Sequence, residues 1–139
     1  MQEFFKDKSA HVYYDATLDT LFLVYTGKVQ NDQQFITINT AVLAAFTKLN
    51  TQKFVADIRK MGIISVASQN WVIANLLPGM VKHLKGKMLY HAQVVDPSEI
   101  LSKVSANNIK DRSKQVATGF EVVQFSDEEK LKEYLKSVD

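Results

Sequence analysis

The chain has 139 residues, of which 46% are hydrophobic and 23% are charged. These fractions are typical of folded globular proteins, so they exclude a disordered chain. The length predicts one domain over residues 1–139, with residues 1–9 as a loose N-terminal segment. The sequence contains no cysteine, which excludes disulfides, thiolate metal ligands and a cysteine nucleophile. The net charge of +2 is too small to indicate a nucleic-acid partner.

Neither a signal peptide nor a membrane span is indicated. Residues 1–10 contain four charged side chains, whereas a signal peptide needs an uninterrupted apolar core of about 7–15 residues. The apolar stretch over residues 66–81 contains several polar side chains and Pro78, and it is shorter than the roughly 20 residues of a spanning helix. We therefore expect a cytoplasmic protein without stable membrane insertion.

The first predicted elements are a β-hairpin and a helix. Residues 11–15 and 20–26 are rich in aromatic and β-branched side chains, which is typical of strands. The second of these strands has apolar side chains on both faces, so we expect both faces to be covered. Over residues 32–50 the apolar side chains recur at spacings of three and four, which predicts a helix capped at Asn31 or Asp32.

The middle of the chain continues with alternating strands and helices. A strand is predicted over residues 53–58, and the helix after it has Ser65 or Ser68 as its cap. Pro78 should kink or end that helix, because proline lacks the amide hydrogen that helical bonding needs. Residues 87–95 are then predicted to form a buried strand.

Three further elements complete the predicted fold. An Asp-Pro pair with Asp96 as the cap predicts the start of a helix, which should break around residues 105–108 and stop at Gly119. Residues 120–125 alternate as a strand, and residues 126–129 form a capping box for the last helix. The order β-β-α-β-α-β-α-β-α predicts an α/β fold, bordering on α+β, with a mixed sheet of about five strands and helices packed on it.

Together with this order, four short segments carry a resemblance to a known fold: residues 56–62 (ADIRKMG), 69–71 (QNW), 77–78 (LP) and 105–109 (SANNI). The chain resembles the STAS domain, which is the fold of anti-sigma-factor antagonists (stage II sporulation protein AA-like), over roughly residues 10–137. It is most similar to uncharacterised bacterial STAS/SEC14 domain-containing proteins, which are small single domains. The resemblance implies a STAS-like mixed sheet and a binding or regulatory role.

The sequence departs from this family at one motif. Anti-sigma-factor antagonists resemble each other in an Asp-Ser-Ser-Gly-Leu segment before the second helix, and a serine of that segment is phosphorylated to switch partner binding. Residues 63–69 (IISVASQ) stand there instead, so the resemblance does not extend to the switch motif. Ser65 and Ser68 remain candidates for phosphorylation, because a phosphate is electrostatically favoured at a helix N-terminus.

A candidate ligand site follows the predicted central strand. Asp57, Arg59 and Lys60 lie at its carboxyl end, which is the edge where open α/β sheets bind ligands. The Arg59 guanidinium is suited to bidentate hydrogen bonding with a carboxylate or phosphate. The alternative, which we favour from the sequence, is that Asp57 and Arg59 pair with each other or cap the next helix.

Trp71, the only tryptophan, gives the predicted second helix a large apolar side chain. One interpretation is a movable lid, hinged at Pro78 and Gly79, over an apolar groove that binds a lipid or another apolar ligand. The interpretation that we favour is ordinary packing. A third is that this apolar surface is the interface of a homodimer or of a complex with a partner protein.

No other catalytic or metal-binding pattern stands out. His11, His83 and His91 have no Asp or Glu at ligand spacing, so we expect them to be structural or solvated. The sequence has no Gly-x-Ser-x-Gly nucleophile and no glycine-rich phosphate loop. Basic clusters over residues 82–87 and 110–114 are expected to be solvated faces. We predict no catalytic residue, no metal and no cofactor.

The sequence thus predicts a non-enzymatic STAS-like binding or regulatory module that acts through protein–protein contacts with an unknown partner. The alternative is a carrier or sensor of a small apolar or lipid-like ligand in the groove between the Trp71 helix and the sheet. A small anionic ligand is a further candidate partner, and its predicted anchor is Arg59. An enzyme that uses Asp57, Arg59 or a histidine is the third hypothesis.

Overall fold

A computed structural model of the chain describes residues 1–116 and 119–138. The strands among them are β1 (Gln2–Lys6), β2 (Ala10–Asp15), β3 (Thr20–Tyr25), β4 (Lys53–Asp57), β5 (Leu89–Val94) and β6 (Phe120–Phe125). The helices are α1 (Asp32–Thr47), α2 (Val66–Trp71), a π-helical turn (Val72–Leu76), α3 (Leu77–Leu84), α4 (Ile100–Val116) and α5 (Glu128–Ser137).

The strands form one mixed sheet in the spatial order β1-β2-β3-β4-β5-β6. Neighbouring strands from β1 to β3 are antiparallel, and those from β3 to β6 are parallel. Each parallel connection therefore needs a helical crossover. The predicted α/β class with a mixed sheet is confirmed, although the described sheet has one strand more than the five expected.

The additional strand is β1, which lies in the segment expected to be loose. Gln2–Lys6 pairs with β2, and the register shifts between Glu3 and Phe5. Consecutive side chains of a regular strand point to opposite faces, yet Phe4 and Phe5 both pack against the main core. The irregularity in the strand is consistent with this, because a β-bulge re-aims a side chain. The segment was misjudged because it lacks the period-two alternation of a regular strand.

The helices divide unequally between the two faces of the sheet. The parallel strands succeed one another in a single direction, so crossovers of one hand place their helices on the same face. Side chains of α1, of α3, of the π-helical turn and of α4 build the main core there, around Phe46, Phe54 and Met80. On the other face α5 contacts β5 and β6 and closes a second, smaller core: Phe22, Val55, Ala92, Val94, Leu131 and Leu135.

Pro78 does not end the second helical segment. Within an α-helix the Pro78 amide would donate to the carbonyl of Ala74, but proline has no such hydrogen. The preceding turn is π-helical, and the Leu77 amide donates to the Val72 carbonyl. Helix α3 then continues past Gly79, where a Cβ atom would lie 2.9 Å from both δ carbons of Leu43. This close approach of α1 to α3 explains the glycine.

Two helix starts and one helix break differ from the predictions. Helix α4 begins at Ile100, because Asp96 Oδ1 instead closes a turn by accepting from the Ser98 amide at 2.9 Å. The same helix runs unbroken through residues 105–108, where tertiary packing buries Ala106. The cap of α5 is Asp127, whose Oδ1 accepts from the Glu129 amide, and not the first residue of the predicted capping box.

Candidate functional site

Asp57 and Arg59 lie at the carboxyl end of β4, between β3 and β5 in the middle of the sheet. Arg59 Nε donates to Asp57 Oδ1 at 2.9 Å, and Nη2 donates to Oδ2 at 2.6 Å. Nη2 also lies 3.2 Å from Oε1 of Glu128, at the start of α5. The Asp57 side chain is 11% exposed and that of Arg59 is 39% exposed. The internal pairing that the sequence favoured is therefore present.

This pairing restricts what Arg59 offers to a ligand. Hydrogen bonding to Asp57 raises the pKa of Arg59, against the opposing effect of partial burial. Both guanidinium nitrogens that face Asp57, Nε and Nη2, already donate to that carboxylate. An anion would thus meet a cation that is already matched by Asp57 and approached by Glu128. The site as a whole is not an open anion anchor.

Two cavities share Val24, Asp57 and Arg59 as lining residues. The first, which we call the α5-side groove, has a volume of about 200 Å³ and lies between α5 and the sheet. The second, the edge cavity, has a volume of about 370 Å³ and lies beyond the strand ends, where Lys60 lines it. The predicted residues Asp57, Arg59 and Lys60 are therefore brought together beside cavities, at the edge that the strand order indicated.

The pairing of β3 with β4 places the side chains that form the floor of the α5-side groove on one face of the sheet. Val55 is paired with Phe22, and Asp57 is paired with Val24, so these side chains point to the same face. Tyr13 is paired with Phe22, and the two rings stack with centroids 5.3 Å apart and planes 12° apart. Because α5 contacts β5 and β6, this part of the face stays open to solvent beside the helix.

The rim of the α5-side groove is charged. The carboxylates of Asp15, Asp57 and Glu128 and the cations of Arg59 and Lys132 line it. Burial raises the pKa of the Tyr13 phenol, and these three carboxylates raise it further. Sequence reasoning missed Tyr13, Phe22 and Glu128. The apolar residues on both faces of β3 predicted that both faces are covered, but they carried no signal of where α5 would lie.

Trp71 lies apart from these cavities. It is half-buried and packs against the main core. The cavity between its helical segment and the sheet measures about 30 Å³ and is lined by Val72 and Leu76. Pockets for drug-sized ligands measure about 300–1,000 Å³, so a lipid in this groove would require the helical segment to move.

Ser65 and Ser68 converge on one carboxylate. Ser65 caps α2, and its Oγ donates to Asp32 Oδ1 at 2.6 Å. Ser68 Oγ donates to the same oxygen at 2.7 Å. These two bonds lower the pKa of Asp32. Ser65 is exposed, whereas Ser68 is 1% exposed. Only the first hydroxyl is therefore accessible to a modifying enzyme in this conformation.

The histidines lie apart from one another. His91 is buried against Phe54, His83 Nε2 lies 2.9 Å from the Leu49 carbonyl, and His11 Nε2 lies 3.5 Å from Glu3. In the part of the chain that the structure describes, no three His, Asp or Glu side chains are arranged to hold a metal ion.

The two basic clusters differ in their surroundings. Lys82 and His83 lie in the last turn of α3, and Lys85 and Lys87 follow it. His83, Lys85 and Lys87 line a shallow surface cavity. Arg112, in contrast, contacts Asn70 Oδ1 and lies 3.3 Å from Gln69 Oε1, so it ties α4 to α2. Lys110 belongs to the same cluster, and the side chain of Lys114 lies outside the described part of the structure.

Exposed apolar side chains occur on both of the segments that meet where α4 approaches the residues after β4. The amides of Gly62 and Ile64 donate to Ser102 Oγ at 2.8 Å and to Ser105 Oγ at 3.1 Å. Of the six large apolar side chains that are exposed in the described residues, four lie within two positions of these bonded residues in the sequence. We call this set the contact surface: Ile63, Val66, Leu101 and Val104.

Arg59→Ala should lower the free energy of unfolding by about 1–3 kcal/mol, because it leaves the largely buried Asp57 carboxylate without its partner. Urea unfolding measures the change, and Lys60→Ala, at an exposed neighbouring position, is the control that should leave stability within about 0.5 kcal/mol. Equal stability of the Arg59 variant and the wild type would contradict a structural role for the pair.

No helix among the described residues combines the length and the apolar composition that a bilayer crossing needs. Comparison with known proteins provides no relative from which a role could be transferred to Asp57, Arg59 or the contact surface. The chain matches no protein-family model, no curated protein and no solved structure.

Proposed function

We propose that the protein is a non-enzymatic, STAS-like binding module that acts by contact with a partner protein through the contact surface. The observation that carries this proposal is the grouping of Ile63, Val66, Leu101 and Val104, all exposed, on two segments that hydrogen bonds hold together. Grouped apolar side chains on a surface mark interaction sites more often than scattered ones do.

The surroundings of the contact surface suit a specific protein partner. Polar groups border it, among them the Ser65 hydroxyl and the Asp32 carboxylate, and an apolar centre with a polar rim is the usual anatomy of an interface. The element order from β2 to α5 agrees with the order that suggested a STAS-like module. Phosphorylation of Ser65 would add about two negative charges next to Val66 and Asp32, so it would alter the same surface.

Affinity capture with variants at the contact surface tests this proposal. Tagged wild type should recover a partner from a lysate of the source organism, and Leu101→Ser with Val104→Ser should reduce that recovery at least about tenfold. Met88→Ser is the matched control, because Met88 is also an exposed large apolar side chain but precedes β5. It should recover the partner as well as the wild type does.

Three outcomes would count against the proposal. Equal recovery by the double variant would show that the partner uses another surface. Repeated failure of the wild type to recover any protein would contradict the existence of a partner protein. A mass spectrum of the native protein that shows a dimer, which the double variant converts to a monomer, would assign the surface to a second copy of the chain. Circular dichroism must show that the double variant is folded.

A further inference from the structure

The α5-side groove lies on the opposite face of the sheet from the contact surface, and its lining has the chemistry of a ligand site. Its floor is apolar, formed by Phe22, Val55 and Val94, and its volume is about 200 Å³. That volume is below the roughly 300–1,000 Å³ of pockets for drug-sized molecules. An occupant must therefore be a small molecule with an apolar body.

The charges on the rim favour a positive ligand. Three carboxylates and two cations line the rim. Arg59 pairs with Asp57 at 2.6–2.9 Å and also lies 3.2 Å from Glu128, so this one guanidinium is shared by two carboxylates. Lys132 Nζ lies 4.0 Å from Glu129, which partly balances its charge outside the groove. Asp15 Oδ1 accepts hydrogen bonds from backbone amides, which carry no formal charge. The rim thus retains an excess of one negative charge.

The aromatic pair supplies a second attraction for a cation. Tyr13 stacks on Phe22 of the floor and also lines the groove, and an aromatic ring attracts an ammonium group that reaches its uncovered face. The carboxylates of Asp15 and Glu128 border the same space. We propose that the α5-side groove binds a small organic amine, with its ammonium near these two carboxylates and its apolar body against Phe22 and Val55.

Titrations with three matched probes, followed by the backbone amide signals of the ¹⁵N-labelled protein at pH 7, test this inference. Phenethylamine should bind saturably and shift signals from β2, β3 and the start of α5. The neutral 2-phenylethanol should bind more weakly, and the anionic 3-phenylpropionate should bind most weakly. A stronger interaction with the acid, equal binding of amine and alcohol, or no saturable shift up to about 10 mM amine would overturn the proposal.

Charge-neutralising variants test whether the groove prefers a positive or a negative ligand. Asp15→Asn and Glu128→Gln should each weaken amine binding about two- to fivefold, whereas Lys132→Gln should strengthen it by a similar factor. An anionic ligand would reverse all three effects, which would overturn the proposal. The double variant at Leu101 and Val104 should bind the amine as the wild type does, so failure of the partner proposal and failure of this one are distinguishable.

Discussion

Phe46→Ala should lower the free energy of unfolding by about 3–5 kcal/mol, which is the largest effect that we expect from a single substitution. Phe46 has no exposed surface, and it lies on α1 among the side chains of the main core. Its ring contacts His83 of α3 edge-on, with centroids 5.7 Å apart. Truncation therefore removes apolar burial at a junction of two helices and leaves a cavity behind.

Urea unfolding at pH 7 measures this effect. Thr40→Ala is the control, because Thr40 lies on the exposed side of the same helix and its substitution should change stability by less than about 0.5 kcal/mol. A cost below about 1 kcal/mol for Phe46→Ala would mean that α1 packs with another face toward the sheet.

Lowering the pH from 7 to 4 should reduce the stability of the wild type by about 3 kcal/mol more than that of His91→Phe. His91 is 3% exposed and stacks on Phe54 with ring centroids 4.7 Å apart. Its Nδ1 lies 3.1 Å from the Phe54 carbonyl, which can only accept, so Nδ1 carries the hydrogen of the neutral ring. Burial lowers the pKa of His91 from 6.5 to about 4.

The sign of this effect follows from proton binding. Between pH 6.5 and about 4 the unfolded chain binds a proton at His91 that the folded protein does not bind, so stability falls as the pH falls through this range. The measurement is the free energy of unfolding in urea at several pH values. His91→Gln, which differs from His91→Phe in size and polarity, should show the same flattened profile. Parallel profiles for wild type and both variants would contradict the prediction.

The local sequence predicted most elements of the fold correctly. The periodicity of residues 32–50 placed α1, and Asn31 is its cap because its side chain accepts from the Gln34 amide. Ser65 likewise caps α2. Residues 120–125 form β6 as predicted. These features depend on side chains within a few residues of each other, so the sequence pattern contains the physical cause.

Where the prediction failed, contacts between distant residues overrode a local signal. Residues 105–108 have weak helix propensity, yet α4 continues through them, because Ser105 Oγ accepts from the Ile64 amide and Asn107 Oδ1 accepts from Gln124. The same applies to β1, whose pairing with β2 and packing on the main core outweigh its irregular pattern. Tertiary packing supplies more free energy than the propensity differences of a few residues.

The sequence by itself determined the α/β class, the order of elements from β2 to α5 and the position of Asp57, Arg59 and Lys60 at the carboxyl end of a central strand. Only the tertiary structure decided that Glu128, 69 residues away, approaches Arg59, and that α5 leaves Tyr13 and Phe22 beside an open groove. Periodicity and capping act over one or two helical turns. Which part of a sheet face is covered depends instead on the position of a helix that is distant in the sequence. The packing of the whole core determines that position.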